Sequence, residues 1–354
     1  MTVKATPKTK SNYTMADIAA RMGISPTAVS MALRDSGGVS DKLRQKVLKV
    51  AAELDYSPAL AARMLRSKNT GQLGLYIPAD SLEGSDLSSG FMMPVLAHFV
   101  GQCEEKKYSY HIEFGKRSGV FVPPSQLTGR IVDGVLLIGE QRPEMMEWIT
   151  KAPEYKWVSV VEETEYCVLS DSRGGTYRAV EYLAAMGHRE IGLAHCNPRY
   201  SVHASALAGY KHAVNDFALG CADHYIREFN GAKGEMELSY IDEWCNYILS
   251  HPKRPSAIIC LDQKIANVMM MNAAYKGIRI PQDLSIIALG SKDAAEKVFP
   301  KTTAIEPDFS VIIEKSIDML IKRIQNKEIP EKQVLVNTKL VKRDSVAVPG
   351  LKNK

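Results

Sequence analysis

The chain has 354 residues, of which 24% are charged, 45% hydrophobic and 7% aromatic, with a formal net charge of +5. This composition excludes a disordered chain, a collagen-like fibre and a disulfide scaffold, and no apolar run approaches the ~18 residues that a membrane-spanning helix needs. The first twelve residues are polar and basic, without the apolar stretch of a signal peptide, so the chain is expected in the cytoplasm.

The charge is unevenly placed. Residues 1–70 hold twelve Lys/Arg against five Asp/Glu, and the remaining chain holds 33 against 35. A basic segment ahead of a near-neutral body points to a small polyanion-binding head on a larger module. The tail over 1–13 is basic and expected to be disordered. Behind Thr14, a good N-cap, Met15, Ile18, Ala19 and Met22 recur at helical spacing, and Gly23 ends that helix. Ser25-Pro26 then supplies a capping serine and a proline for the first turn of a second helix. That helix turns Val29, Ala32 and Leu33 inward and leaves Pro26, Thr27, Ser30, Met31 and Arg34 outward. Two short helices about a glycine-containing turn make a helix-turn-helix. A third helix starts at Ser40 and carries Leu43, Val47, Val50, Ala51 and Leu54 on one face, which completes a small all-α domain over 14–56. Residues 57–66, SPALAARMLR, repeat the Ser cap and the Pro first turn. A helix this short is marginal alone in water, which suits a hinge over 57–71 that orders only when docked.

From Gln72 the pattern changes. Strands are expected near 73–77, 109–114, 133–138, 157–161, 190–195, 224–228, 256–261 and 284–289. Helices near 92–107, 174–186, 203–219, 238–250, 263–276 and 310–326 separate or follow them. Short apolar strands alternating with helices argue parallel sheets covered on both faces. Eight or more strands with a break near 160 argue two such sheets.

Signs of catalysis are missing. The chain has no G-x-S-x-G, P-loop, G-x-G-x-x-G after a strand, or H-E-x-x-H, so it is not expected to be an enzyme. Six scattered cysteines without a CxxC pair read as small buried hydrophobes, with no disulfide, metal or cofactor. The Arg173-Gly174-Gly175 turn before a helix either cradles an anion on its backbone N–H groups or simply starts the helix. His188, in the MGHREI turn, reads as structural.

The phrases TMADIAARMGIS, AVSMAL, VSDKLRQKV and AAELDYSPALAARML together resemble the head of the lactose-repressor (LacI/GalR) family of bacterial transcription regulators. LGLYIP, VDGVLLIG, the RGG…AVEYLAAMGHREIGL block, LAGYKHAV, KGIRIPQDLSIIALG and LVKRDSV continue the resemblance along nearly the whole chain. It implies a two-lobed, periplasmic-binding-protein-like body of doubly wound parallel sheets over 72–345, with a tail over 346–354. The chain should cross between lobes three times. Lobe 1 is expected over about 72–162 plus 292–328, and lobe 2 over about 163–291 plus 329–345.

For the head, the resemblance implies that the second helix lies in the major groove with Pro26, Thr27 and Met31 at the base edges. Family members often carry Arg where Met31 stands and Thr where Ala28 stands. Met31 and Pro26 can meet a thymine methyl, and Thr27 can do that or hydrogen-bond. Ser25, Ser30, Arg34 and Arg44 are placed at phosphates, which position without specifying. In the hinge, Leu65 falls where the family inserts a leucine into the minor groove, with Ala62 allowing close approach.

For the body, ligands are expected at the carboxyl ends of the strands, between the lobes. The family's Arg, Asn and Asp contacts fall on Ala206, Leu261 and Lys292. A sugar hydroxyl taken from water needs a polar partner, so three readings stand. The effector is less polar or anionic, with Lys292 as its partner; or it is a sugar held by Asp171, Arg173, His203 or Asp293; or the site is vestigial. Phe91 and Met92 lie where the first lobe usually supplies an apolar wall. The implied function is a sequence-specific transcriptional regulator, a repressor that binds a pseudo-palindromic operator as a homodimer and answers to a small-molecule effector. A solute-binding protein of the same body fold is the alternative, and residues 14–66 favour the regulator.

Overall fold

The computed structural model describes residues 15–34, 39–54, 69–78, 91–115, 120–139, 141–196, 201–220, 225–229 and 238–350. The chain divides into two units, Met1–Thr70 and Gly71–Lys354.

Among its described residues the first unit has three helices: α1 (Met15–Met22), α2 (Pro26–Arg34) and α3 (Asp41–Glu53). Gly23 leaves α1 at φ +65°, a left-handed conformation that glycine adopts without steric cost. Ser25 Oγ then accepts from the Ala28 amide at 3.1 Å, and Ser40 Oγ accepts from the Leu43 amide at 3.4 Å, so both serines cap the helices they precede. The apolar faces meet in a small core of Ile18, Ala19, Val29, Ala32, Val47, Ala51 and Leu54. Full burial of each large side chain here is worth roughly 1.5–3 kcal/mol. Arg21 and Glu53 pair at 3.4 Å on the surface, between α1 and α3.

The body has two six-stranded sheets, as its alternating pattern implies. In the first, the order is β2 (Ser109–Phe114), β1 (Gln72–Ile77), β3 (Gly134–Ile138), β4 (Trp157–Val160), β5 (Cys167–Ser170) and β11 (Gln333–Val336), all parallel. In the second, the order is β7 (Ile226–Phe229), β6 (Ile191–Cys196), β8 (Ala257–Cys260), β9 (Ser285–Leu289), β10 (Thr303–Glu306) and β12 (Lys339–Val341). Only β12, paired to β10, is antiparallel in that sheet.

Helices α4 (Met92–Glu105), α5 (Ser125–Thr128), α6 (Pro143–Thr150) and α12 (Phe309–Ile324) cover the first sheet. Helices α7 (Ser172–Ala185), α8 (Ser201–Asp216), α9 (Leu238–Ser250), α10 (Gln263–Tyr275) and the short α11 (Lys292–Glu296) belong with the second. Strands such as Gly134–Ile138 and Ala257–Cys260 are buried along their whole length, because helices lie on both faces.

The lobe borders differ from the expected ones. β5 pairs with β4, Ser159 opposite Cys167, so 163–170 belongs to the first lobe. β10 pairs with β9, Thr303 opposite Ile287, which puts 292–307 in the second. β11 lies beside β5, returning 329–337 to the first. These strands have four residues each, too few to show a period in sequence.

The three crossings between lobes follow β5, β10 and β11, and they are tied together. The Asp171 amide donates to the Val336 carbonyl at 2.8 Å, and Thr338 Oγ1 donates to the Asp171 carbonyl at 3.0 Å. Arg178 donates to the Thr338 carbonyl (3.0 Å) and hydroxyl (3.1 Å), while Lys339 Nζ lies 3.5 Å from Asp308.

Candidate functional site

In the head, the first turn of α2 leaves Pro26 and Thr27 exposed, with Ser30 half-buried and Met31 39% exposed. Val29 and Ala32, on the opposite side, are buried. Ser25 uses its oxygen as the helix cap and keeps its O–H to donate. Arg44 is half-buried on α3, which exposes Lys42, Lys46 and Lys49. The side chain of Arg34, and Ala62 and Leu65 altogether, lie outside the described residues.

In the body, β4 runs out into Val161 at φ +66°. A β-branched residue in this left-handed region is a conformational outlier. The next residue, Glu162, reaches across to the second lobe. Its carboxylate accepts from the Ser201 amide at 3.1 Å and from the Ser201 hydroxyl at 2.6 Å, and Ser201 Oγ accepts in turn from the Glu163 amide at 3.0 Å. Ser201 opens α8, and the first amides of a helix lack intrahelical partners and carry partial positive charge. Beside it, Val202 packs against the first lobe's core. Phe91 joins that same core through an edge-to-face contact with Phe309, ring centroids 5.5 Å apart.

Two of the expected effector positions are buried. Ala206 is fully buried and Leu261 is 2% exposed, both within the second lobe's core, where helix α8 and the end of β8 face inward. Asp171 is a helix cap: its carboxylate accepts from the Gly174 amide at 2.8 Å and lies 3.5 Å from Arg178. The Gly175 amide is taken by the Asp171 carbonyl at 3.0 Å, so the Arg173-Gly174-Gly175 turn starts a helix and the amides of both glycines are already occupied.

Arg173 is exposed on α7. A Cβ built on Gly209 would sit 2.1 Å from the Arg173 carbonyl, so the glycine of LAGY lets α7 and α8 pack closely. Lys292 and Asp293 are exposed in α11, which Ser291 caps, and His203 is half-buried in α8. Sequence reasoning missed Glu162, Ser201 and Thr338, and it also missed Asp262. That last carboxyl caps α10 through the Lys264 amide at 2.6 Å, and desolvation pushes it above the usual carboxylate range.

His188 is buried in the second lobe, where Nε2 donates to the Ala347 carbonyl at 3.0 Å and Nδ1 lies 2.9 Å from Ser256 Oγ. Burial holds the imidazole below its ordinary range. Cys103, Cys167, Cys245 and Cys260 are buried thiols, those of Cys103 and Cys245 pushed up to about 12 by burial. Among the described residues, no group of His, Cys, Asp and Glu is arranged to hold a metal ion, and no helix is long and apolar enough to cross a membrane.

A helix-turn-helix head on a two-lobed, doubly wound body defines a DNA-binding regulator with a small-molecule-binding module. Comparison with known proteins agrees. Residues 14–59 match the profile of bacterial regulatory proteins of the lacI family, and residues 180–346 match a periplasmic binding protein-like domain. The head is thus a lacI-family domain and the body a periplasmic binding protein-like one.

It is 27% identical over 350 residues to the ribose operon repressor of Haemophilus influenzae, covering 94% of this chain and 98% of that one. It is 27% identical over 346 residues to the transcriptional repressor PurR of Escherichia coli, with 94% and 97% covered. Its fold resembles the lac repressor dimer bound to operator and an anti-inducer, at TM-score 0.78 and 21% identity over 95% of this chain and 99% of that one. It also resembles the transcriptional regulator CelR in complex with cellobiose, at TM-score 0.67 and 19% identity, with 94% and 100% covered.

Proposed function

We propose that this protein is a cytoplasmic, non-enzymatic repressor that binds a pseudo-palindromic operator as a homodimer. A small molecule of the sugar or sugar-acid class, bound between the lobes, sets its affinity for that operator. The observation that carries this reading is the head itself, a capped helix-turn-helix whose second helix exposes its first turn while its opposite side closes a core. A helix presented in this way suits a major groove.

In this reading Pro26, Thr27 and Met31 meet base edges, and Ser25, Ser30, Arg34 and Arg44 meet phosphates. Leu65 and Ala62 enter the minor groove from the hinge over 57–71. A single head reads few bases, so two are needed on a dyad. The second lobe supports the dimer by exposing Met271 (72%), Tyr275 (90%) and Phe299 (94%), large apolar side chains that a self-complementary interface would cover. In the cleft, Phe91 supplies an apolar wall and Lys292 a charge. Relatives in the family carry names that refer to ribose, and CelR was solved with cellobiose.

The test is selection of bound duplexes from a random library by the full chain. A motif with two inverted half-sites is expected. Enrichment of a single unrepeated half-site would overturn the dimeric reading, and no enrichment would overturn operator binding.

A further inference from the structure

Base discrimination in a major groove depends on what the inserted helix offers. Arg or Lys grips guanine, Asn or Gln grips adenine, and apolar atoms meet the thymine methyl. In α2 the side chains that reach solvent ahead of Arg34 are Pro26, Thr27, Ser30 and Met31, with Ala28 half-buried. None of them has a charge, a guanidinium or a carboxamide.

Among the described residues, the lysines of the head lie on α3. Lys42, Lys46 and Lys49 are all exposed at i, i+4 and i+7, which aligns them as one stripe along that helix. An ammonium on a flexible stem is a point charge suited to phosphates, and a phosphate contact carries no base preference.

We propose that the head divides its work between these two helices. α2 reads thymine methyls through Pro26 and Met31, with the Thr27 hydroxyl beside them. The operator half-site is therefore thymine-rich, with no guanine held by α2 ahead of Arg34, and the lysine stripe of α3 supplies a sequence-independent, salt-sensitive attraction. This rests on the DNA-binding function proposed above and names the class of half-site it requires.

The selected duplex is remade with deoxyuridine in place of thymidine, one position at a time. Uracil keeps every hydrogen-bonding edge of thymine and lacks only the 5-methyl. Each contacted methyl should be worth about four-fold in affinity, the value of burying one such group. In Met31→Ala, one of these penalties disappears while the one set by Pro26 remains. The exposure of Met31 makes this variant safe for the head's core, and circular dichroism checks that it folds. Lys46→Ala and Lys49→Ala lower affinity alike on selected and scrambled duplexes.

A motif with an invariant guanine in each half-site, weakened by 7-deazaguanine and indifferent to deoxyuridine, would overturn this inference and leave operator binding intact. Deoxyuridine penalties that persist unchanged in Met31→Ala would also overturn the assignment to Met31. If no motif is enriched, the operator-binding reading itself fails and the inference fails with it.

Discussion

The Glu162 carboxylate, at the end of a strand in one lobe, holds both the amide and the hydroxyl of Ser201, the first residue of a helix in the other lobe. The contact joins the two lobes, and it does so beside the apolar seat of Val202 on the first lobe's core. A helix N-terminus that would otherwise need water is satisfied by a charge from across the cleft. The left-handed backbone at Val161 is part of this arrangement, because strain of that kind persists only where its surroundings over-determine it.

Glu162→Ala removes a charge-assisted cap and should cost about 1–3 kcal/mol of body stability, by analogy with charged hydrogen bonds and helix caps. Glu162→Gln keeps one accepting oxygen and should lose less. Urea denaturation of both variants beside the parent reads the difference. Wild-type midpoints for both would mean that the contact carries no weight in solution.

The head was legible in the sequence because three helices announce themselves by period and by caps: Ile18 and Ala19, Val29 and Ala32, and Val47 and Ala51 fall on inward faces behind Ser25 and Ser40. Strands such as Gly134–Ile138 were legible as continuous apolar runs, the pattern of a strand covered on both faces. The strands that place the lobe borders were not, since Cys167–Ser170, Thr303–Glu306 and Gln333–Val336 are too short to show alternation. The cleft was the least legible part. Glu162 and Ser201 stand 39 residues apart, and Asp171 and Thr338 stand 167 apart, so only the folded chain brings them together. Ala206 and Leu261 stand at positions inferred from a family pattern, and with small or apolar side chains they turn into the core.

Gly175 and Gly101 should respond in opposite directions to the same substitution. A Cβ at Gly175 would lie 2.3 Å from Thr338 Oγ1 and 2.7 Å from Ile305 Cγ2, at the crossing between lobes. Gly175→Ala should destabilise by about 1–3 kcal/mol, the usual cost of overpacking. Gly101 lies within α4 with nothing near its absent Cβ. Gly101→Ala should stabilise by about 0.5–1 kcal/mol, because alanine suits a helix interior better than glycine. Thermal melts of the two variants decide the matter, and equal shifts would contradict the geometry.

His188 should make stability depend on pH. Burial lowers its folded-state pKa below the unfolded value near 6.5, so the native body favours the neutral ring. Its stabilising contribution is therefore complete above the unfolded value. It is lost as the pH falls from there through the folded value, because the unfolded chain binds the proton more readily. Denaturation midpoints of the parent should fall more between pH 8 and pH 5 than those of His188→Gln, which retains a donor for the Ala347 carbonyl. Parallel pH profiles would place the acid sensitivity elsewhere.

Lys292 tests the chemistry of the effector. With Ala206 and Leu261 turned into the core, and Asp171 committed to a helix cap and to Arg178, few polar groups remain where a neutral sugar would need one for each hydroxyl. The exposed ammonium of Lys292 favours an acidic compound instead. In a thermal-shift screen of sugars, sugar acids and sugar phosphates, an acidic member should raise the melting temperature. A ligand at about 100 times its dissociation constant adds roughly 2.7 kcal/mol if it binds only the folded state. Lys292→Ala should abolish that shift while leaving the unliganded melt unchanged, because an exposed side chain adds little to the fold. Stabilisation by a neutral sugar, undiminished in Lys292→Ala, would reject Lys292 as the contact. It would also mean that hydroxyl partners come from residues other than those that the family pattern marks.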